Sequence, residues 1–222
     1  MEHIDEKIIT MMKELEAERG DLTAEEEEKP PVDTAEISEE ALIDVSQPLV
    51  RIGDELVPFF LIELIKGTLY APLPRTFRLL MKQEASIKYP SEHRPSLIYS
   101  NDTGTVSLAF HYTPDPVPNG DIEFFTDTMI HVLRSVQPVR SWIGQGMTAT
   151  NQGKPAGYCE FITGSLDGNL YHYMLFTELN GRALLCSFNC SEAGSKIWKQ
   201  IGKSILKAIQ VEEEQKGGGL EE

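Results

Sequence analysis

Cysteine is scarce in this sequence: there are three in 222 residues, an odd number. A chain of this length can build a core without disulfide staples. Cys186 and Cys190 stand four apart, so no C-x-x-C metal or redox motif is present. Long apolar runs are missing too. The most apolar stretch, residues 56–65, is broken by Pro58 and Glu63, whereas a membrane span requires about 20 apolar residues. Glu2, Asp5 and Glu6 stand where a signal peptide would carry basic side chains. Together these features predict a cytoplasmic protein without a membrane span. Asn101 and Asn189 head glycosylation triplets, which matter only in a secreted chain.

Basic charge is also in short supply, but unevenly. The formal net charge is −15. Residues 1–50 hold sixteen acidic and four basic side chains (−12), and residues 211–222 hold five and one (−4), which leaves +1 for residues 51–210. The body is neutral and the ends are acidic. A nucleic-acid interface needs concentrated basic surface, so that partner class is disfavoured.

What is present is organised. In residues 1–19, Ile4, Ile8, Met11, Met12 and Leu15 recur at three- and four-residue spacing between charged residues, which predicts an amphipathic helix. Residues 20–50 carry four consecutive glutamates and Pro30-Pro31. That composition reads as an acidic flexible linker, with a helical turn possible over 36–43. Residues 51–211 read as one globular domain, and residues 212–222 as a disordered acidic tail. Within the domain, residues 56–65 are a buried strand or a short helix, 68–72 a short strand and 74–82 a helical turn.

From Ser96 the signals sharpen. Val106, Leu108, Phe110 and Tyr112 alternate with Ser107, Ala109 and His111, a period-two strand that residues 97–100 can pair with through a turn ending at Gly104. A Pro/Asn/Gly loop over 113–120 ends the hairpin. Asp121 then opens a helix striped by Ile122, Phe125, Met129, Val132, Leu133 and Val136, closed by Pro138. Four strands follow, at about 145–150, 155–164, 169–178 and 182–190. The turns joining them are Asn151-Gln152-Gly153, Asp167-Gly168 and Asn180-Gly181, strong hairpin chemistry that predicts an antiparallel meander. A last helix is expected from Ser191, as N-cap, to residue 211, with Trp198, Ile201, Ile205 and Ile209 on its buried stripe. Hairpin, helix, meander, helix makes an α+β fold: an α/β/α sandwich around an antiparallel sheet of about six strands.

Three stretches carry a family likeness. They are Tyr89-Pro90 with Pro95 to Ser100 leading into the alternating strand, the helix-to-meander order, and Ser187 to Cys190 followed by Ile197-Trp198-Lys199-Gln200-Ile201 and residues 205–209. On these the chain resembles the PsbP-like superfamily over roughly residues 55–211. That superfamily includes the photosystem subunit PsbP and the Ran-binding Mog protein, and bacterial members of similar shape escort secreted toxins. The resemblance implies an adaptor, chaperone or accessory subunit that binds a protein partner, not an enzyme.

The residues themselves offer little chemistry, and no cofactor or metal is expected. There is no phosphate-binding glycine loop, G-x-S-x-G elbow or H-E-x-x-H. His131 falls on the outer face of its helix, while His111 and His172 could meet across the sheet. Cys186, Phe188, Cys190 and Leu184 share one strand face, which reads as core. Glu160 and Asp167 read as solvated surface. A small hydrolase or transferase with loop-borne residues is the alternative, for which Glu92, His93 and Arg94 would have to share a pocket. Three surfaces are partner-binding candidates: the Ile/Met stripe of residues 1–19; the aromatics Trp142, Tyr171 and Tyr173, otherwise core; and Lys196, Lys199, Lys203 and Lys207, which fall within about 80° of one another at ~100° per residue and otherwise form a solvated face. Monomer and homodimer both remain open.

Overall fold

The computed structural model describes residues 42–89, 94–117, 120–165, 168–194 and 196–212. In chain order the strands are β1 (Leu49–Ile52), β2 (Glu55–Ile65), β3 (Leu69–Pro74), β4 (Phe77–Leu79), β5 (Leu97–Asn101), β6 (Val106–Pro116), β7 (Val139–Ala149), β8 (Pro155–Ser165), β9 (Gly168–Leu179), β10 (Arg182–Ser191) and β11 (Gln210–Val211). Among the described residues three helices accompany them: α1 (Lys82–Lys88), α2 (Ile122–Val136) and α3 (Lys196–Lys207). This is an α+β fold.

The large sheet has seven strands in the order β4-β5-β6-β10-β9-β8-β7, all antiparallel neighbours. The meander predicted from turn chemistry is therefore observed as β7 to β10. Asn180 and Gly181 both take positive φ, 51° and 77°, as a tight two-residue hairpin requires. The expected six strands become seven in this sheet, because residues 77–79 form β4 rather than a helical turn and the helix starts only at Lys82. A second sheet, β1-β2-β3-β11, was not foreseen as a sheet at all.

Alternation along β9 sets the layers. Tyr171, Tyr173 and Leu175 share a cluster with Ile201 and Ile205 of α3. Phe176, one residue out of phase, shares another with Phe125, Met129 and Leu133 of α2. The two long helices thus cover opposite faces of the large sheet. Each fully buried Phe, Leu or Met side chain in these layers contributes about 1.5–3 kcal/mol. α2 starts where expected, with Asp121 accepting from Phe124 N at 2.9 Å.

α3 lies between the two sheets, since Leu69, Ala71 and Leu73 of β3 belong to the same cluster. It begins at Lys196, not Ser191, which is the last residue of β10. It also ends at Lys207, after which Ile209 and Val211 stay buried while the chain becomes β11. Its seat on the sheet is close. A Cβ on Gly202 would fall 2.3 Å from the ring of Phe188, so only glycine lets the helix backbone approach that ring. The segment read as linker ends earlier than residue 50: Val45 and Val50 are 2% and 3% exposed, and both are part of the core.

Candidate functional site

β2 is the element that creates a site. Its pairing with β1 spans only Glu55 to Pro58, and its pairing with β3 begins at Phe59. Phe59 N donates to Pro48 O on the β1 side at 3.0 Å, while Pro58 O accepts from Arg75 N on the β3 side at 2.8 Å. Backbone groups alternate between the two edges of an antiparallel strand. Leu61 and Glu63, in step with Phe59, therefore face the edge that β1 has vacated. Pro48 has no N–H to extend the β1 ladder. Upstream, Asp44 turns the chain aside: its carboxylate accepts from Ser46 N (3.0 Å), Ser46 Oγ (2.5 Å) and Gln47 Nε2 (2.8 Å). Those hydrogen bonds hold its carboxyl below the usual range. Ile43 N then donates to Ser204 Oγ of α3 at 2.9 Å, which pins the chain across the helix.

The vacated edge borders a groove of about 600 Å³. Val45, Phe59, Phe60, Leu61, Pro72 and Ile209 supply its apolar surface, and Ser46, Asn151, Gln152 and Gln210 its polar surface. Phe59 and Ile209 are buried, but Phe60 and Leu61 leave 51% and 52% of their surface in solvent. Leu49 and Leu56 continue the exposed apolar band toward the β1–β2 turn. The opposite wall is held by two hydrogen bonds: Asn151 N donates to Lys207 O (2.7 Å), and Val211 N to Gln152 Oε1 (2.8 Å). An apolar trough with neutral amides along its rim and an open strand edge suits a peptide segment better than a charged small molecule. Residues 56–65 were expected to be buried. They form a strand, one of the two alternatives, but several of its side chains are exposed: β2 lies between β1 and β3, and its outer half runs past the end of β1.

The other candidates are placed differently. Ile4, Ile8, Met11, Met12 and Leu15 lie outside the described residues. Tyr171 and Tyr173, 0% and 3% exposed, sit beneath α3 and are core rather than an interface patch. Trp142 is within β7, the first strand of the meander. Its ring stacks on Phe161 at 5.3 Å, with the Arg134 guanidinium 4.4 Å from its centroid. The lysine row divides. Lys196 is exposed, whereas Lys199, Lys203 and Lys207 are half-buried. Lys199 lies 4.6 Å over the Tyr171 ring. Lys203 pairs with Glu160 at 2.8 Å, and Tyr171 OH donates to the same carboxylate at 2.8 Å. Glu160 is thus a half-buried partner in the middle of β8, not solvated surface; Asp167 is outside the described residues.

The reactive residue types are mostly occupied by packing. Cys159, Cys186 and Cys190 are buried free thiols, and burial pushes all three up, Cys190 to about 11. His131 is exposed, as expected. His111 and His172 do not meet: β10 runs between their strands, placing Leu185 opposite His111 and Asn189 opposite His172. His172 stacks on Phe161 at 4.8 Å with Nε2 2.8 Å from Thr163 Oγ1, and burial lowers its pKa to about 4. Glu92 and His93 lie outside the described residues. Lys88 Nζ donates to Ser100 Oγ (3.3 Å), Gly104 O (2.7 Å) and Ser107 Oγ. A Lys–Ser contact can serve nucleophilic catalysis. Here three acceptors use all three ammonium protons, and both serines are buried, at 0% and 1% exposure. The arrangement closes the β5–β6 hairpin. Among the described residues no group of three or more His, Cys, Asp or Glu is placed to hold a metal, and no helix is long and apolar enough to cross a membrane.

No protein-family model matches this chain, and no curated protein matches its sequence. Solved structures do. The chain is similar to the solution structure of cyanobacterial PsbP (CyanoP) from Synechocystis sp. PCC 6803, at 12% identity and a TM-score of 0.51 over 73% of this chain and 97% of that one. It is also similar to LpqN of Mycobacterium tuberculosis, a protein involved in cell envelope biogenesis, at 11% identity and a TM-score of 0.40 over 71% of this chain and 92% of that one. At such identities the likeness to CyanoP is one of fold.

Proposed function

We propose that this chain, whose fold is PsbP-like, is a non-catalytic protein-binding module, an adaptor, chaperone or accessory subunit that holds a partner segment in the groove beside β2. One observation carries the reading. Phe60 and Leu61, each about half exposed and on opposite faces of β2, border a strand edge that no described residue pairs with, beside a 600 Å³ apolar trough. Large side chains left in solvent beside a preformed concavity mark interaction surface, and an unpaired edge supplies main-chain hydrogen bonds for an added strand. Glu63 accepts from Gly67 N and Tyr70 OH at the far end of that edge. A charge there limits indiscriminate pairing. The buried free thiols suit a reducing compartment, and the reading places the protein in the cytoplasm.

The test is site-specific photo-crosslinking in the cell of origin, with the reactive side chain at Phe60 or, as a control, at the exposed Ile87 of α1. A discrete protein adduct from position 60, absent from position 87 and abolished by Leu61→Asp, is the expected result. No adduct, or the same adducts from both positions, overturns the reading.

A further inference from the structure

The described chain starts at Leu42, three residues before Val45 enters the groove wall. Everything upstream is therefore tethered at the mouth of the groove. We propose that residues 2–19 of this same chain occupy the groove as a helix, setting the stripe Ile4, Ile8, Met11, Met12 and Leu15 against Leu61, its register partner Pro72, and Ile209. The proposal rests on the groove being a protein-binding site and names its resident ligand.

Three considerations select this occupant over a second copy or an outside partner. The first is reach. Residues 20–41, even as random coil, span about 25 Å, enough to bring residue 19 back to a groove whose wall the chain enters at Val45. The second is need. A helix of this length is marginal in water without a surface to pack on, and Phe60 and Leu61 are apolar groups left in solvent. The third is concentration. A short tether holds its ligand at an effective concentration on the order of 1 mM, so an intrinsic Kd of about 0.1 mM leaves the groove roughly 90% filled. A second copy at micromolar concentration cannot compete with that.

An outside partner must then displace the segment. A groove free only a tenth of the time weakens apparent binding about tenfold. The probe is a synthetic peptide of residues 2–19 titrated into the full chain and into the full chain carrying Ile8→Asp and Met12→Asp. Binding about tenfold tighter to the double variant supports the proposal; equal binding to both chains, or to neither, overturns it.

A second measurement identifies whose segment fills the groove. A nitroxide is attached at Lys13→Cys, on the face opposite the stripe at ~100° per residue; Cys159, Cys186 and Cys190, at 0–2% exposure, are shielded from the reagent. Loss of the Phe60, Leu61, Gln152 and Gln210 amide signals within the labelled chain supports docking in cis. The same loss only when an isotope-labelled chain is mixed with a separately spin-labelled chain assigns the site to a second copy and overturns it. If neither occurs while position 60 still crosslinks to a partner, the groove reading stands and this proposal alone fails.

Discussion

Replacing Gly202 by alanine sets two effects against each other, and their magnitudes decide the sign. In an exposed helix interior alanine is more favourable than glycine by about 1 kcal/mol. At this position the new Cβ falls 2.3–2.5 Å from Cγ, Cδ1 and Cδ2 of Phe188, where carbon atoms in contact are normally about 3.5–4.0 Å apart. Helix and ring must therefore part by more than about 1 Å. The ring cannot give way, because Phe188 is 0% exposed and packs edgewise on Tyr171 at 6.3 Å. α3 cannot shift alone either, since its other side meets β3. Overpacking a tight core costs about 1–3 kcal/mol, and here the whole helix must move, which favours the upper end. The net expectation is a loss of about 2 kcal/mol, or about 4–8 °C in Tm for a body of this size. Urea unfolding of the full chain with Gly202→Ala, Phe188→Leu and the pair reads it directly. The double variant should recover part of the summed loss, a coupling of about 1–2 kcal/mol. A Gly202→Ala chain as stable as the parent, or more so, refutes the close seating of α3. The groove wall at Ala208 and Ile209 follows that helix, so the same variant should also loosen the groove.

Two further outcomes follow from burial. His172 stays neutral in the folded chain down to about pH 4, whereas an unfolded histidine protonates near 6.5. Its folded pKa is the depressed one, so stability present above pH 6.5 falls as pH drops toward 4. The loss is at most about 3 kcal/mol at 1.36 per unit. His172→Gln should flatten that part of the profile in urea titrations at pH 7 and 4.5, and an unchanged difference between the two pH values counts against a buried neutral imidazole. The three thiols, at 0–2% exposure, should resist a maleimide in the native protein and react fully in denaturant. Rapid native labelling of Cys186 is the contrary result.

The sequence by itself determined the elements whose local chemistry is self-sufficient. Asn180-Gly181 and Asn151 to Gly153 fix hairpins through backbone conformation alone, and the stripe from Ile122 to Val136 fixes a helix through its own periodicity. The strand alternation from Val106 to Tyr112 already implied a two-sided sheet with helices to cover it. The tertiary structure decided what depends on neighbours distant in sequence. Residues 77–79 are a strand because Tyr99 to Asn101 pair with them, although nothing local separates them from a helical turn. Glu160 is drawn out of solvent because Lys203 and Tyr171 converge on it from a helix and another strand. Ser191 has the right side chain for a helix cap, yet pairing with Leu170 of β9 keeps it in β10. The groove was least legible of all. It arises where β1 stops short along β2 and where residues 151–152 and 208–210, far apart in the chain, close the other side. A periodicity measured along one strand records which side chains share a face. It carries no information on where a neighbouring strand ends, and that boundary is what leaves Phe60 and Leu61 uncovered.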